Sequence, residues 1–162
     1  MQKKITKILF WLYIAILVWL IIFKLGFSLS ALDHQRALNL IPFYYDTETS
    51  FHLREVIQNG IVFVPVGIYL KMLGERTSTT ALMGFAVSLL FETWQFVFAC
   101  GVSDITDLIM NTLGTLAGAA LYLGLVRIVH KPMLHTVLNA VAAVATVLLC
   151  TLLVVVTVAA NR

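Results

Sequence analysis

Five long apolar stretches decide what this chain can fold into. They cover about residues 8–27, 56–73, 81–100, 107–129 and 138–160 of the 162. A helix needs about 20 mostly apolar residues to cross the hydrocarbon core of a bilayer. Charged residues make up 12% of the chain and the mean hydropathy is +0.96. A soluble domain usually carries about 25% charged residues, so this chain cannot wet a globular surface. Its apolar content is equally incompatible with disorder. The expectation is an all-α fold: a polytopic membrane helix bundle of about five transmembrane helices, forming a single membrane domain over 1–162. No internal repeat is evident, and no attached soluble domain is expected.

The first stretch follows Lys3, Lys4 and Lys7, and Ser28, Ser30 and Ala31 could mimic a signal-peptide cleavage site. Its apolar core from Ile8 to Phe23 exceeds the usual 7–15 residues of a signal h-region. An uncleaved anchor is expected. Cytoplasmic loops are enriched in Lys and Arg. With the N-terminus inside, seven cations and Glu75 lie inside (net +6), and four cations and six acids lie outside (net −2). The inverted arrangement reverses the cation bias. N-terminus inside and C-terminus outside is therefore expected. Residues 26–55 then form an extracytoplasmic loop. Its run Leu40-Ile41-Pro42-Phe43-Tyr44-Tyr45 suits the membrane interface and should lie over the mouth of the bundle.

An ionisable side chain within a span costs a few kcal/mol on insertion scales and marks a functional candidate. Glu92 is that residue. Ser88, Glu92 and Gln95 fall at i, i+4 and i+7 and share one helix face, with Trp94 off it. Glu92 either points into the bundle, able to take a proton, a cation or a donor group, or it is a structural clasp bonded by Arg54, Asn59 or a hydroxyl. Apart from Ser88, no polar line runs inward from Glu92, which argues against a transporter.

Asp104, Asp107, Asn111, Gly114, Gly118 and Tyr122 form a second stripe. Asp caps helix N-termini, and carboxylates there are favoured by the helix dipole. One of Asp104 and Asp107 is expected to be a cap. Asn111, one turn deeper, is not explained that way. Together with Glu92 these oxygens would suit magnesium or calcium, with Asp104 and Asp107 as the ligands. The spacing matches no established metal loop, so no cofactor is expected. Gly114 and Gly118 allow close helix approach. Pro65 removes a helix hydrogen bond and kinks the second span, beside Gly67.

Arg36 and Arg54 are the outside cations nearest these acids, with a planar fork suited to phosphate or carboxylate. His52 reads as a solvated loop residue. Cys100 and Cys150 have no metal-type spacing. There is no phosphate loop, zinc-protease pair or nucleophile elbow. The basic residues are too scattered for nucleic acid.

Four segments occur in order: Arg36-x-x-Asn39-Leu40-Ile41-Pro42-Phe43, Asn59-x-x-x-Phe63-x-Pro65-x-Gly67, Glu92-x-x-Gln95 and Asp104-x-x-Asp107-Leu108-x-x-Asn111-Thr112-Leu113-Gly114-x-x-x-Gly118. As a set they resemble the VanZ-like family of bacterial membrane proteins, with a core over 36–125. Arg36, Asn39, Glu92, Gln95, Asp104, Asp107, Asn111 and Gly114 match its polar core. Many members carry an arginine in the turn before the first aspartate, where this chain has Gly101-Val102-Ser103. The resemblance implies a multi-pass protein of the bacterial plasma membrane. It also implies an association with lowered susceptibility to teicoplanin, a lipoglycopeptide.

Two functions compete. One is a non-enzymatic envelope protein whose outward polar pocket (Arg36, Asn39, Arg54, Asn59, Glu92, Gln95, Asp104, Asp107 and Asn111) binds a lipid-linked wall intermediate or the lipoglycopeptide. The other is a membrane enzyme modifying a lipid or wall polymer, with Glu92 as the catalytic acid or base and Asp104 and Asp107 holding a divalent cation. Membrane lipids are expected partners in either case.

Overall fold

The computed structural model describes residues 2–23, 36–44, 49–99 and 101–160. Five helices carry the fold: α1 (Gln2–Phe23), α2 (Thr49–Leu73), α3 (Thr77–Phe98), α4 (Ile105–Ile128) and α5 (Lys131–Ala160). Among the described residues, four stretches are long and apolar enough to cross a membrane: Leu53–Leu73, Thr77–Phe98, Ile105–Ile128 and Lys131–Leu152. Backbone groups in hydrocarbon must be satisfied internally, which is why these runs are helical. Their outward faces carry large apolar side chains, such as Leu82, Leu90 and Leu113. A soluble protein would bury such side chains, whereas a membrane protein turns them to lipid.

Among the described residues the bundle departs from an all-helical one in a single strip. β1 (Arg36–Asn39) and β2 (Gly101–Asp104) pair in parallel, with Arg36 opposite Gly101 and Asn39 opposite Asp104. The segment before the fourth span is thus a strand rather than the expected turn. Strand pairing satisfies backbone groups that helix ends leave open. The stretch expected as a loop over 26–55 also holds the start of α2, seven residues ahead of the apolar run. Hydropathy marks where a span is apolar, and the helix continues past that limit through Thr49–Glu55. Residues 24–35 and 45–48, with the Ser28–Ala31 cleavage-like site, lie outside the described residues.

α2 and α4 make the most extensive helix contact, and glycines set it. A Cβ at Gly114 would collide with the Gly60 carbonyl, one at Gly118 with the Val64 carbonyl, and one at Gly67 with the Thr115 carbonyl. The two helices meet backbone to backbone, as the 114/118 spacing suggested. Gly84 makes the same allowance on α3 for the Thr115 side chain. Against this pair pack Phe10 and Leu17 of α1 and Phe91 of α3, around Phe63, Val66 and Leu70. Pro65 sits inside α2 and cannot donate to the preceding turn. The Tyr13 hydroxyl reaches that turn from α1, donating to the Val62 carbonyl at 2.6 Å.

α2 ends on Gly74 at φ +101°, where Gly74 N–H donates to the Lys71 carbonyl (3.1 Å) and Glu75 N–H to the Leu70 carbonyl (3.0 Å). That pair of bonds is a Schellman stop, which favours glycine. It returns the chain into α3. At this end Met72, Tyr122 and Leu134 pack together, and Gln2 bonds Thr136. The ends of α2 and α4 therefore meet the starts of α1 and α5, gathering Lys3, Lys71, Arg127 and Lys131. The opposite end carries the strand pair and the acids.

Candidate functional site

The acidic end is assembled by backbone geometry. α3 closes on Ala99, whose left-handed backbone (φ 53°) turns the chain so that β2 runs back along the helix end. Ser103, 3% exposed, then donates from Oγ to the Glu92 carbonyl at 2.6 Å. The next residue presents its N–H to the Glu92 side chain, with Asp104 N to Glu92 Oε2 at 2.9 Å. Glu92 is thus clasped by the backbone of β2. The expected clasps, Arg54, Asn59 or a hydroxyl, do not supply that bond, and Arg54 is exposed near the start of α2. Trp94 lies off this face and is exposed.

Asp104 is the N-cap of α4, accepting from Thr106 N at Oδ1 (2.7 Å). Its other oxygen accepts from Asn39 Nδ2 at 3.0 Å, a contact set by the strand register. Of the two candidate caps, Asp104 fills the role and Asp107 stands in the first turn. Asn39 also organises the segment after β1. Its Oδ1 accepts from Ile41 N (3.1 Å), its Nδ2 donates to the Tyr44 carbonyl (3.2 Å), and Phe43 N reaches Thr106 Oγ1 (3.0 Å). Phe43 is held at φ 58°, a left-handed conformation costly for a bulky residue. The hook 40–44 is therefore fastened across the start of α4, with Leu40, Ile41, Phe43 and Tyr44 exposed around it.

Asp107 hydrogen-bonds the Asn59 side chain and lies within electrostatic reach of Asp104 and Glu55; both aspartates act on Glu92. Deeper, Asn111 is 3% exposed and donates from Nδ2 to Ser88 Oγ at 2.9 Å. Its Oδ1 has no hydrogen-bond partner among the described residues, and neither has Gln95 Oε1. Both belong to residues at least nine-tenths buried. The cluster therefore holds carboxylates and two open carbonyl oxygens. Chemically it can receive N–H or O–H donors or positive charge.

Of the sequence candidates, the structure brings together Asn39, Asn59, Glu92, Gln95, Asp104, Asp107 and Asn111. Arg54 is exposed, next to Glu55 near the start of α2. The side chains of Arg36 and His52, and all of Cys100, lie outside what is described. Both oxygens of Asp104 are committed to protein donors. Among the described residues no group of three or more His, Cys, Asp or Glu is arranged to hold a metal ion. Sequence reading missed Ser103 and Thr106, hydroxyls beside the acids that looked like ordinary turn residues. It also missed that buried polar residues do continue inward from Ser88: Thr115 and Thr80 are both fully buried. Their spacing on the α3 and α4 faces was available as a signal. The line is closed where the Thr115 side chain fills the space over Gly84.

A model of the VanZ/LLP1 family matches residues 10–129, from α1 to the end of α4. The chain is also similar to Protein VanZ of Enterococcus faecium, with 40% identity over 126 residues, 75% of this chain and 76% of that protein. No solved structure matches it.

Proposed function

The chain belongs to the VanZ/LLP1 family, and on that premise we propose that it is a multi-pass protein of the bacterial plasma membrane acting as an envelope binding protein. Its five helices span with the N-terminus inside and the C-terminus outside. The segregation of Lys3, Lys71, Arg127 and Lys131 to one end supports that orientation. The acidic cluster then faces outward and binds an envelope lipid-linked ligand or a lipoglycopeptide such as teicoplanin, which lowers susceptibility to the drug.

One observation carries this reading. Gln95 Oε1, one turn from Glu92 on α3, and Asn111 Oδ1, whose amide bonds Ser88 one turn deeper, are buried with no partner among the described residues. An unmet buried acceptor costs about 1–3 kcal/mol, and a ligand bearing N–H or O–H groups removes that cost. The aromatic hook 40–44 beside the cluster suits a ligand arriving along the membrane surface.

The test uses Glu92→Gln, which keeps an oxygen for the Asp104 N–H. Binding of teicoplanin and of a lipid-linked wall precursor is measured by calorimetry on purified protein, and teicoplanin susceptibility on cells. Wild-type protein should bind at least one of them. The variant should fold, lose about 10-fold in affinity, the scale of one hydrogen bond, and lose the protection. No binding by wild type, together with unchanged susceptibility in the variant, would overturn the proposal.

A further inference from the structure

The other end of the molecule contains a cleft that the outward site does not use. It is about 250 Å³ in volume and lies between α1, α2 and α5, lined by Tyr13, Pro65, Met72, Leu138, Ala142 and Leu149 among others. Its walls are almost wholly apolar. Three features shape it. α1 and α5 are tied at their starts by Thr6 and Asn139, with Asn139 Nδ2 to Thr6 Oγ1 at 3.0 Å. Met72 and Leu134 pack with Tyr122, with Leu138 against them, at the same end. Above these joints α5 presents the small residues Ala142 and Ala145, and the helices stand apart.

A dry apolar cavity does not hold water, and at this depth the surrounding solvent is hydrocarbon. The α5 wall runs from Leu138 to Leu149, about 16 Å at 1.5 Å per residue. One leaflet of a hydrocarbon core about 30 Å thick has nearly that depth. The cleft therefore matches one acyl chain entering from one side of the membrane. The joints close its basic end, so the chain enters through the open flank above them, with the headgroup reaching past the joints to that side. Lys3 and Lys131 are exposed there and both act electrostatically on His135, which lies one turn from Leu138. Basic residues between helix ends at the cytoplasmic face are where anionic headgroups bind.

We propose that this cleft is a binding site for an anionic phospholipid, with one acyl chain between α1, α2 and α5 and the phosphate near Lys3 and Lys131. The assignment of that lipid to the inner leaflet rests on the orientation proposed above. The site itself does not depend on it, nor on the outward cluster. Lys71 is not part of it, because its ammonium donates to the Glu75 carbonyl at 2.8 Å.

The test is native mass spectrometry of the full chain released from nanodiscs containing equal phosphatidylglycerol and phosphatidylcholine. Phosphatidylglycerol should be retained over phosphatidylcholine by about 30-fold, the scale that two surface lysines set. Lys3→Gln with Lys131→Gln should abolish that preference, and these exposed changes leave the core intact. Ala145→Trp should fill the cleft and release the lipid. Glu92→Gln should leave retention unchanged, so failure of the outward site and failure of this one are separable. Equal retention of the two lipids by wild type, or full retention by Ala145→Trp, would overturn the proposal.

Discussion

The two polar ends of this bundle are made differently. At the basic end, side chains close on each other: Asn139 with Thr6 at 3.0 Å and Tyr122 with His135 at 2.7 Å, all buried. At the acidic end, the side chains are held mainly by backbone. Glu92 accepts from Asp104 N, Asp104 from Thr106 N, and Asn39 from Ile41 N. Side-chain pairs that consume each other form a joint and offer nothing further. Backbone donors fix a carboxylate and leave neighbouring oxygens open, here on Gln95 and Asn111, which have no partner among the described residues. The basic end has one such orphan as well, the lone Thr80 hydroxyl in the first turn of α3, but no acid stands beside it on that helix. The first arrangement contributes stability alone, and the second adds binding capacity.

The largest effect should erase the comparison by removing what joins the ends. In Gly114→Val the new side chain has no space against the Gly60 carbonyl, since both walls are backbone. A loss above about 4 kcal/mol is expected for such overpacking, seen as failure to recover folded monodisperse protein in detergent. Recovery at wild-type yield would mean that α2 and α4 can separate.

A smaller effect is expected at the closed joint. Asn139→Leu removes the cross-helix partner of the fully buried Thr6 hydroxyl, which keeps its bond to the Gln2 carbonyl, a cost of about 0.5–1.5 kcal/mol. Thermal unfolding in detergent should show a lowered midpoint. Ligand affinity of the protein that remains folded should be unchanged. Altered affinity would mean that the two ends communicate, and the division between joint and site would fail.

How far these ends could be read in advance depended on the range of the interactions. The apolar runs and the Ser88–Glu92–Gln95 face were legible because helix period and hydrocarbon thickness act locally. Gly114 and Gly118 were legible for the same reason, while their backbone partners Gly60 and Val64 looked like any span. The β1–β2 pair was not legible. Its strands, Arg-Ala-Leu-Asn and Gly-Val-Ser-Asp, carry no strong β pattern, and they meet only because α2 and α3 return the chain to the same end. Asn39 was picked out as a binding residue, but its contact with Asp104 follows from that register. The Thr6–Asn139 joint, 133 residues apart, left no local trace. Thr80 and Thr115 passed as tolerable span residues because one hydroxyl hardly lowers hydropathy.

The smallest change in stability carries the most discriminating result. At a joint, replacing a buried polar residue by an apolar one destabilises, because a partner loses a bond. At Gln95 the orphan is already present: Oε1 is buried and unpartnered among the described residues. Gln95→Leu removes that oxygen, so the protein should lose nothing and can gain up to about 1–3 kcal/mol. Its unfolding midpoint should equal or exceed that of wild type. If the oxygen serves a ligand, the same variant should bind about 3- to 100-fold more weakly, the range one hydrogen bond spans. Stability rising while affinity falls is the signature of a site that bears strain for function. A midpoint lowered by the equivalent of more than about 1 kcal/mol would show that Gln95 has a partner within the fold. The acidic end would then be a second joint, and the contrast between the two ends would be lost.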